Sequence, residues 1–242
     1  GLVPLTAEQW NKVLTTWPRV DNVNFNRIGL ERINNVRALK GKAPLTSGAV
    51  KALGQEIESA VHPTGALETP IVLNEFFLDD LPVKVDNSTD ALTGLHFPPI
   101  RSQGCIGSCA SFSSTYYQLS YMTALNRGLD IRDPDDNTDK YSPKWSYDLL
   151  NGGQDSGTSL WGNLLFLERH GAATWAQFPY DTDYLAWCLN QDAWRSALGV
   201  RTEPPQYSWH TETDAGLEVI KQLLANGYIV TFGTYIYDWL YV

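Results

Sequence analysis

The sequence predicts an α+β fold, helical for most of its length and extended at its end. Three observations carry that expectation. Apolar residues recur at helical spacing in successive segments on either side of residue 100. Prolines 63, 70, 82, 98 and 99 interrupt that pattern between residues 63 and 100. Residues 228–237, Tyr-Ile-Val-Thr-Phe-Gly-Thr-Tyr-Ile-Tyr, are β-branched and aromatic and read as a strand.

Each element has its own signal. Thr6 and Gln9 form a capping box, followed by Trp10, Val13, Leu14 and Trp17 on one helical face. Ile28, Ile33, Val36 and Leu39 predict a second helix, ended by Gly41 and Pro44. Val50, Leu53, Ile57 and Val61 predict a third, stopped by Pro63. The proline-rich stretch that follows reads as a strap with short strands at most, because proline suits neither a helix interior nor a central strand. It contains a glycosylation sequon, Asn87-Ser88-Thr89. Residues 109–127 read as one helix with Phe112, Tyr116, Leu119 and Thr123 on a stripe, Met122 beside it, and Gly128 as the stop. Further helices are expected over 142–150, with Pro143 at the start, over 160–169, ended by Gly171, and over 213–226. In the last, Leu217, Ile220, Leu223 and Leu224 face inward.

The chain has 242 residues, of which 43% are apolar, enough for one large domain or two smaller ones with a real core. Its formal net charge of -9 argues against nucleic acid or an anionic membrane as partner, since both reward a basic face. No apolar run approaches the roughly 18 residues of a membrane span. The 9 Trp and 12 Tyr suit a groove for peptides or sugars, or plain core packing. The acidic stretch 130–139 is rich in oxygen ligands, but its spacing does not match the twelve-residue calcium loop, so it reads as a solvated loop.

The chemistry concentrates in Ser-Gln-Gly-Cys-Ile-Gly-Ser-Cys-Ala-Ser-Phe-Ser, residues 102–113. Zinc would need two further soft ligands beyond Cys105 and Cys109, and no second tight Cys or His pair exists, so no metal is expected. The chain has three cysteines, so they cannot all pair internally; a Cys105–Cys188 bond stays open. The nucleophile reading explains more of the neighbours. A thiolate is favoured at a helix N-terminus, where unpaired N–H groups and the macrodipole stabilise negative charge. Ser108 and Cys109 open the predicted helix, whereas Cys105 lies out in the loop. Gly104 and Gly107 allow a tight loop, and the Gln103 amide with the Cys109 N–H could hold an oxyanion.

Residues 99–113, Pro-Ile-Arg-Ser-Gln-Gly-Cys-Ile-Gly-Ser-Cys-Ala-Ser-Phe-Ser, resemble the active-site loop and helix of papain-like cysteine peptidases. Supporting stretches follow in order: Leu81-Pro82-Val83-Lys84-Val85-Asp86, Tyr141-Ser142-Pro143, Gly157-Thr158-Ser159-Leu160-Trp161, and Phe178-Pro179-Tyr180-Asp181. The resemblance implies a two-lobe papain-like fold over residues 81–242, mostly the helical lobe plus the start of the β lobe. It implies Cys109 as nucleophile, Gln103 as oxyanion donor, and Gly107, Ser108, Gly157 and Thr158 as substrate-binding positions. It implies no cofactor. Ile106 stands where the family has a cysteine, Ala110 where it has an aromatic residue, and Thr158 where it has a glycine. The first change puts the family's usual structural disulfide in that loop in doubt, and the last narrows the cleft.

The family's His and Asn lie far downstream of the cysteine, and none of His62, His96, His170 or His210 matches. We therefore expect a piece of a longer protein, truncated before those residues and inactive by itself. Residues 1–80 occupy the place of a helical prosegment that would bind the domain intramolecularly, and read equally well as an accessory N-terminal region. The expected substrate is a peptide or protein, and the expected location, from the class alone, is secreted or cell-surface, bacterial in type. Two alternatives remain: a non-catalytic peptide-binding module of the same fold, and an amidase or transferase using the same thiolate.

Overall fold

The computed structural model describes residues 19–20, 23–45, 80–202 and 214–233. These residues form a mixed but mostly helical structure, α+β in the coarse sense. The first and third expected helices, at residues 6–17 and 50–61, lie outside the described residues. The only sheet among the described residues is a two-stranded parallel pair, β1 (Arg19–Val20) with β2 (Arg201–Thr202), in the register Arg19 to Arg201.

Helix α1 spans Val23–Leu39 and buries Ile28 and Ile33. The central helix, α2, starts as Cys109–Ser111, widens to a π-helix over Phe112–Leu119, and closes as an α-helix over Ser120–Arg127. Its expected stripe of Phe112, Tyr116, Leu119 and Thr123 is buried. The widened turn coincides with a run of hydroxyls. Ser113 Oγ donates to the Cys109 and Ala110 carbonyls at 3.0 and 3.1 Å, and Ser114 Oγ to the Ala110 carbonyl at 2.7 Å. Short hydroxyl side chains compete in this way for backbone acceptors, and π-turns cluster at functional sites. Gly128 stops the helix in the left-handed region at φ 68°, as its sequence position predicts.

Helix α3 (Pro143–Leu150) begins with proline at a position whose N–H has no helical partner. Helix α4 (Leu160–His170) is capped by Ser159, whose Oγ accepts from the Gly162 N–H. Helix α5 (Gln191–Ala197) was not foreseen. Its cap is Asn190, which accepts from the N–H groups of Asp192 and Ala193, but its short apolar pattern gives little periodicity to read. Helix α6 spans Asp214–Ala225, and Leu217, expected to face inward, is exposed there.

Two apolar clusters lie on opposite sides of α2. Leu119 joins Trp145, Leu167, Ala193 and Ala197 from α3, α4 and α5. Tyr121 and Leu125 join Ile28 of α1, with Phe97, Tyr228 and Ile229 against them. A buried polar hub closes the second cluster. The Arg32 guanidinium donates to the last carbonyls of α6, Leu224 at 3.0 Å and Ala225 at 3.1 Å, and to Asn87 Oδ1 at 2.8 Å. A cation at a helix C-terminus meets both the unpaired carbonyls and the dipole.

The strand expected over 228–237 is a correction as far as the structure describes it. Residues 228–233 form neither helix nor strand. Backbone groups at the start of this segment are already engaged. The Gly227 and Tyr228 N–H groups close α6, and side chains of Tyr121, Asn87 and Gln118 donate to the carbonyls of Gly227, Tyr228 and Ile229. Among the described residues no helix is long and apolar enough to cross a membrane.

Candidate active site

Cys109 is the first residue of α2, and its side chain is exposed. Its neighbours Ser108 and Ala110 are buried, so the chain turns the thiol outward while anchoring either side of it. Cys105 is also exposed, while Cys188 is buried in the Trp145 cluster. All three are free thiols, which corrects the open Cys105–Cys188 pairing: one sulfur sits in a surface loop and the other in the core.

Phenol hydroxyls fasten the loop that leads to Cys109. Tyr116 donates to the Pro99 carbonyl at 2.7 Å, and Tyr117 accepts from the Arg101 N–H at 3.1 Å. The Arg101 guanidinium lies over Trp175, 4.3 Å from the ring centre, a favourable cation–π geometry. Tyr180 donates to the Gln103 carbonyl at 2.6 Å. Its only proton is then used, so Ser108 Oγ, 2.7 Å away, donates to the Tyr180 oxygen. Tyr180 thus ties both ends of the segment from Gln103 to Ser108.

Gln103 carries the expected oxyanion donor. Its Nε2 donates one N–H to the Ile106 carbonyl at 3.0 Å, which keeps the carboxamide on this loop and leaves a second N–H. The Gly107 N–H donates to Asp155 Oδ1 at 2.7 Å, and the buried Tyr147 hydroxyl donates to the same oxygen. These two bonds, that from Tyr147 first, hold the exposed Asp155 carboxyl below the usual carboxylate range.

The expected substrate-binding positions meet here. A Cβ on Gly107 would stand 3.1 Å from the Gly157 nitrogen and 3.3 Å from its Cα, so any side chain there would have to push that backbone back by a few tenths of an ångström. Gly157 itself has φ 83°, a left-handed conformation that L side chains rarely adopt. The Thr158 hydroxyl is turned to Asn163, which donates to it at 2.9 Å; Asn163 Oδ1 in turn accepts from Ser111 at 2.8 Å. Gln103, Gly107, Ser108 and Cys109 therefore share one loop, Gly157 touches it, and Thr158 reaches α2 through Asn163. A cavity of about 490 Å³ lies beside Ser113 and Tyr117 of α2, and none of Gln103, Gly107, Ser108, Cys109, Gly157 and Thr158 lines it. Lys84, Phe97, Ile229 and Phe232 line it.

Comparisons with known proteins add no relative. No protein-family model, curated protein or solved structure matches the chain. The functional reading therefore rests on geometry.

Sequence reasoning missed Asp155, Tyr147 and Asn163. Tyr180 belongs to the Phe178-Pro179-Tyr180-Asp181 turn, which by itself gives no sign that its hydroxyl reaches Gln103. Nothing in the pattern shows that a hydroxyl or carboxylate will close on a loop dozens of residues away. Of the histidines, His96 is buried with Nδ1 2.5 Å from the Leu129 carbonyl, and so carries its proton there. His170 ends α4 with its ring against Phe166, and burial lowers its pKa. His62 and His210 lie outside the described residues. The sequon is not open to a glycan: Asn87 is buried, and its Nδ2 donates to the Leu224 and Tyr228 carbonyls at 3.1 and 2.8 Å. The acidic loop folds around Lys140, whose buried ammonium donates to the Asp133 and Asp136 carbonyls. Among the described residues no three His, Cys, Asp or Glu side chains gather as metal ligands.

Proposed function

We propose that the chain carries the nucleophile side of a papain-like cysteine peptidase, with Cys109 as nucleophile and Gln103 as oxyanion donor. One observation carries the reading: an exposed thiol on the first residue of a long helix, reached by a loop whose carboxamide, hydroxyl and backbone groups are all tied down. The first residue of a helix presents the thiol to solvent, and a fixed amide donor costs no reorganisation when charge develops on a carbonyl oxygen. The thiolate attacks the peptide carbonyl, the amine leaves with a proton, and water hydrolyses the thioester. The chemistry needs an imidazole to shuttle that proton; His96 is engaged elsewhere. The proposed substrate is a peptide or protein, whose carbonyl an exposed thiol can reach. Residues 1–80 are proposed to act on the domain as a prosegment, and export is proposed from the class.

A second reading, a peptide-binding module without catalysis, is favoured by Ala110 and Thr158, which stand where the resembled family has an aromatic residue and a glycine. The test is hydrolysis of a peptide library by the full-length protein and its Cys109→Ala and Gln103→Ala variants. The peptidase reading expects cleavage that vanishes in the first variant and slows about 10²-fold in the second. Binding without cleavage selects the module. Ammonia release or acyl transfer without cleavage selects the amidase or transferase.

A further inference from the structure

The peptide unit between Ile106 and Gly107 is gripped at both poles. Its carbonyl accepts from Gln103 Nε2 at 3.0 Å and from the Ser108 N–H at 2.9 Å. Its N–H donates to Asp155 Oδ1 at 2.7 Å. A peptide unit is planar, so fixing the direction of the N–H fixes that of the carbonyl. Asp155 therefore reaches the Gln103 carboxamide through one rigid plane. The carboxylate is itself aimed by Tyr147, a fully buried residue of α3, which donates to the same oxygen. Asp155 also lies two residues before Gly157, whose backbone abuts Gly107, so the anchor and the cleft wall belong to one segment. The loop has no covalent crosslink that could do this work, since its cysteines are free.

We propose that Asp155 is a positioning residue for the oxyanion donor: through the Ile106–Gly107 peptide it sets the orientation of the Gln103 carboxamide in the loop that leads to Cys109. Without it the peptide plane can rotate, the Ile106 carbonyl turns away, and Gln103 loses the acceptor that holds it. The thiol, carried by α2, stays in place. The inference rests on Cys109 being the nucleophile, and the experiment separates the two claims.

Two reagents divide the chemistry. Iodoacetamide alkylates a thiolate by displacement at carbon, forming a C–S bond and expelling iodide, with no oxyanion. p-Nitrophenyl acetate is attacked at its carbonyl; the oxyanion forms, then collapses to the thioester and p-nitrophenolate. Both rates are read at each cysteine by peptide mapping on the full chain. In Asp155→Ala we expect acylation of Cys109 to fall about tenfold while alkylation changes less than about twofold. Asp155→Asn keeps an oxygen acceptor for both donors and restores most of the acylation rate. Gln103→Ala slows acylation at least as much, and the double variant is no slower than Gln103→Ala alone, since the two act in series. Buried Cys188 reports folding: if it labels in Asp155→Ala, Tyr147→Phe replaces that variant, with an expected fall of about threefold. Wild-type acylation in Asp155→Ala, equal slowing of both reagents, or multiplicative effects in the double variant overturns the role of Asp155. A wild-type chain in which Cys109 reacts no faster than Cys105 overturns the nucleophile, and this inference with it.

Discussion

Asn87 and Asp148 show opposite ways of burying a polar side chain. Asn87 has its amide and its oxygen occupied by Leu224, Tyr228 and Arg32. Truncating it strands these buried partners, so Asn87→Ala should cost about 1–3 kcal/mol in urea unfolding; an unchanged midpoint would contradict the hub. Expression in a glycosylating host should leave the mass at Asn87 unmodified. Asp148, on α3, has no hydrogen-bond partner for either carboxylate oxygen among the described residues. Burial pushes its pKa up to about 7, opposed by Lys144 and reinforced by Asp183 and Asp181. An acid whose pKa is higher when folded binds more protons in the folded state, so stability falls as pH rises from 3.8 to about 7. Asp148→Asn should remove that slope and add about 1–2 kcal/mol at neutral pH, after allowance for the group's partial exposure. A variant that keeps the slope assigns it elsewhere.

At the scale of elements, the contact of Gly107 with Gly157 joins the loop before α2 to the segment before α4. Gly157→Ala places a side chain at φ 83° and should cost roughly 1–2 kcal/mol of strain, read as a lower melting temperature; no change would mean that this backbone relaxes freely. The elements differ in how far the sequence reveals them. Helices α2, α3, α4 and α6 announce themselves through periodic apolar residues and punctuation by Gly128, Pro143 and Gly171. The π-turn does not, because Ser113 and Ser114 look like ordinary helix residues until their hydroxyls meet the carbonyls of Cys109 and Ala110. The chain after Tyr228 has strand composition, yet Asn87, Gln118 and Tyr121 take the acceptors a strand partner would use. Long-range side-chain bonds override local preference there. Gln103, Gly107, Ser108 and Cys109 were legible because they are adjacent in the chain. Asp155 and Tyr147 were not, because only folding brings α3 and the segment after it to that loop.

On the scale of the whole molecule, α2 is the partition on which both apolar clusters and the candidate site depend. Helix α1 belongs to one of these clusters through Ile28, and its Arg32 closes the end of α6. A protein beginning at residue 81 should therefore melt at a lower temperature than the longer chain, because Tyr121 and Leu125 lose an apolar neighbour. If residues 1–80 also inhibit, adding them back as a peptide should slow cleavage by the shortened protein; an unaltered rate would remove the prosegment role. The central claim, that Cys109 is a nucleophile prepared by the start of α2, is tested most directly by timed iodoacetamide labelling of the folded protein at neutral pH, read cysteine by cysteine. The account predicts that Cys109 reacts about tenfold or more ahead of Cys105 and that Cys188 stays protected. An inert Cys109, or one that only keeps pace with Cys105, would contradict it.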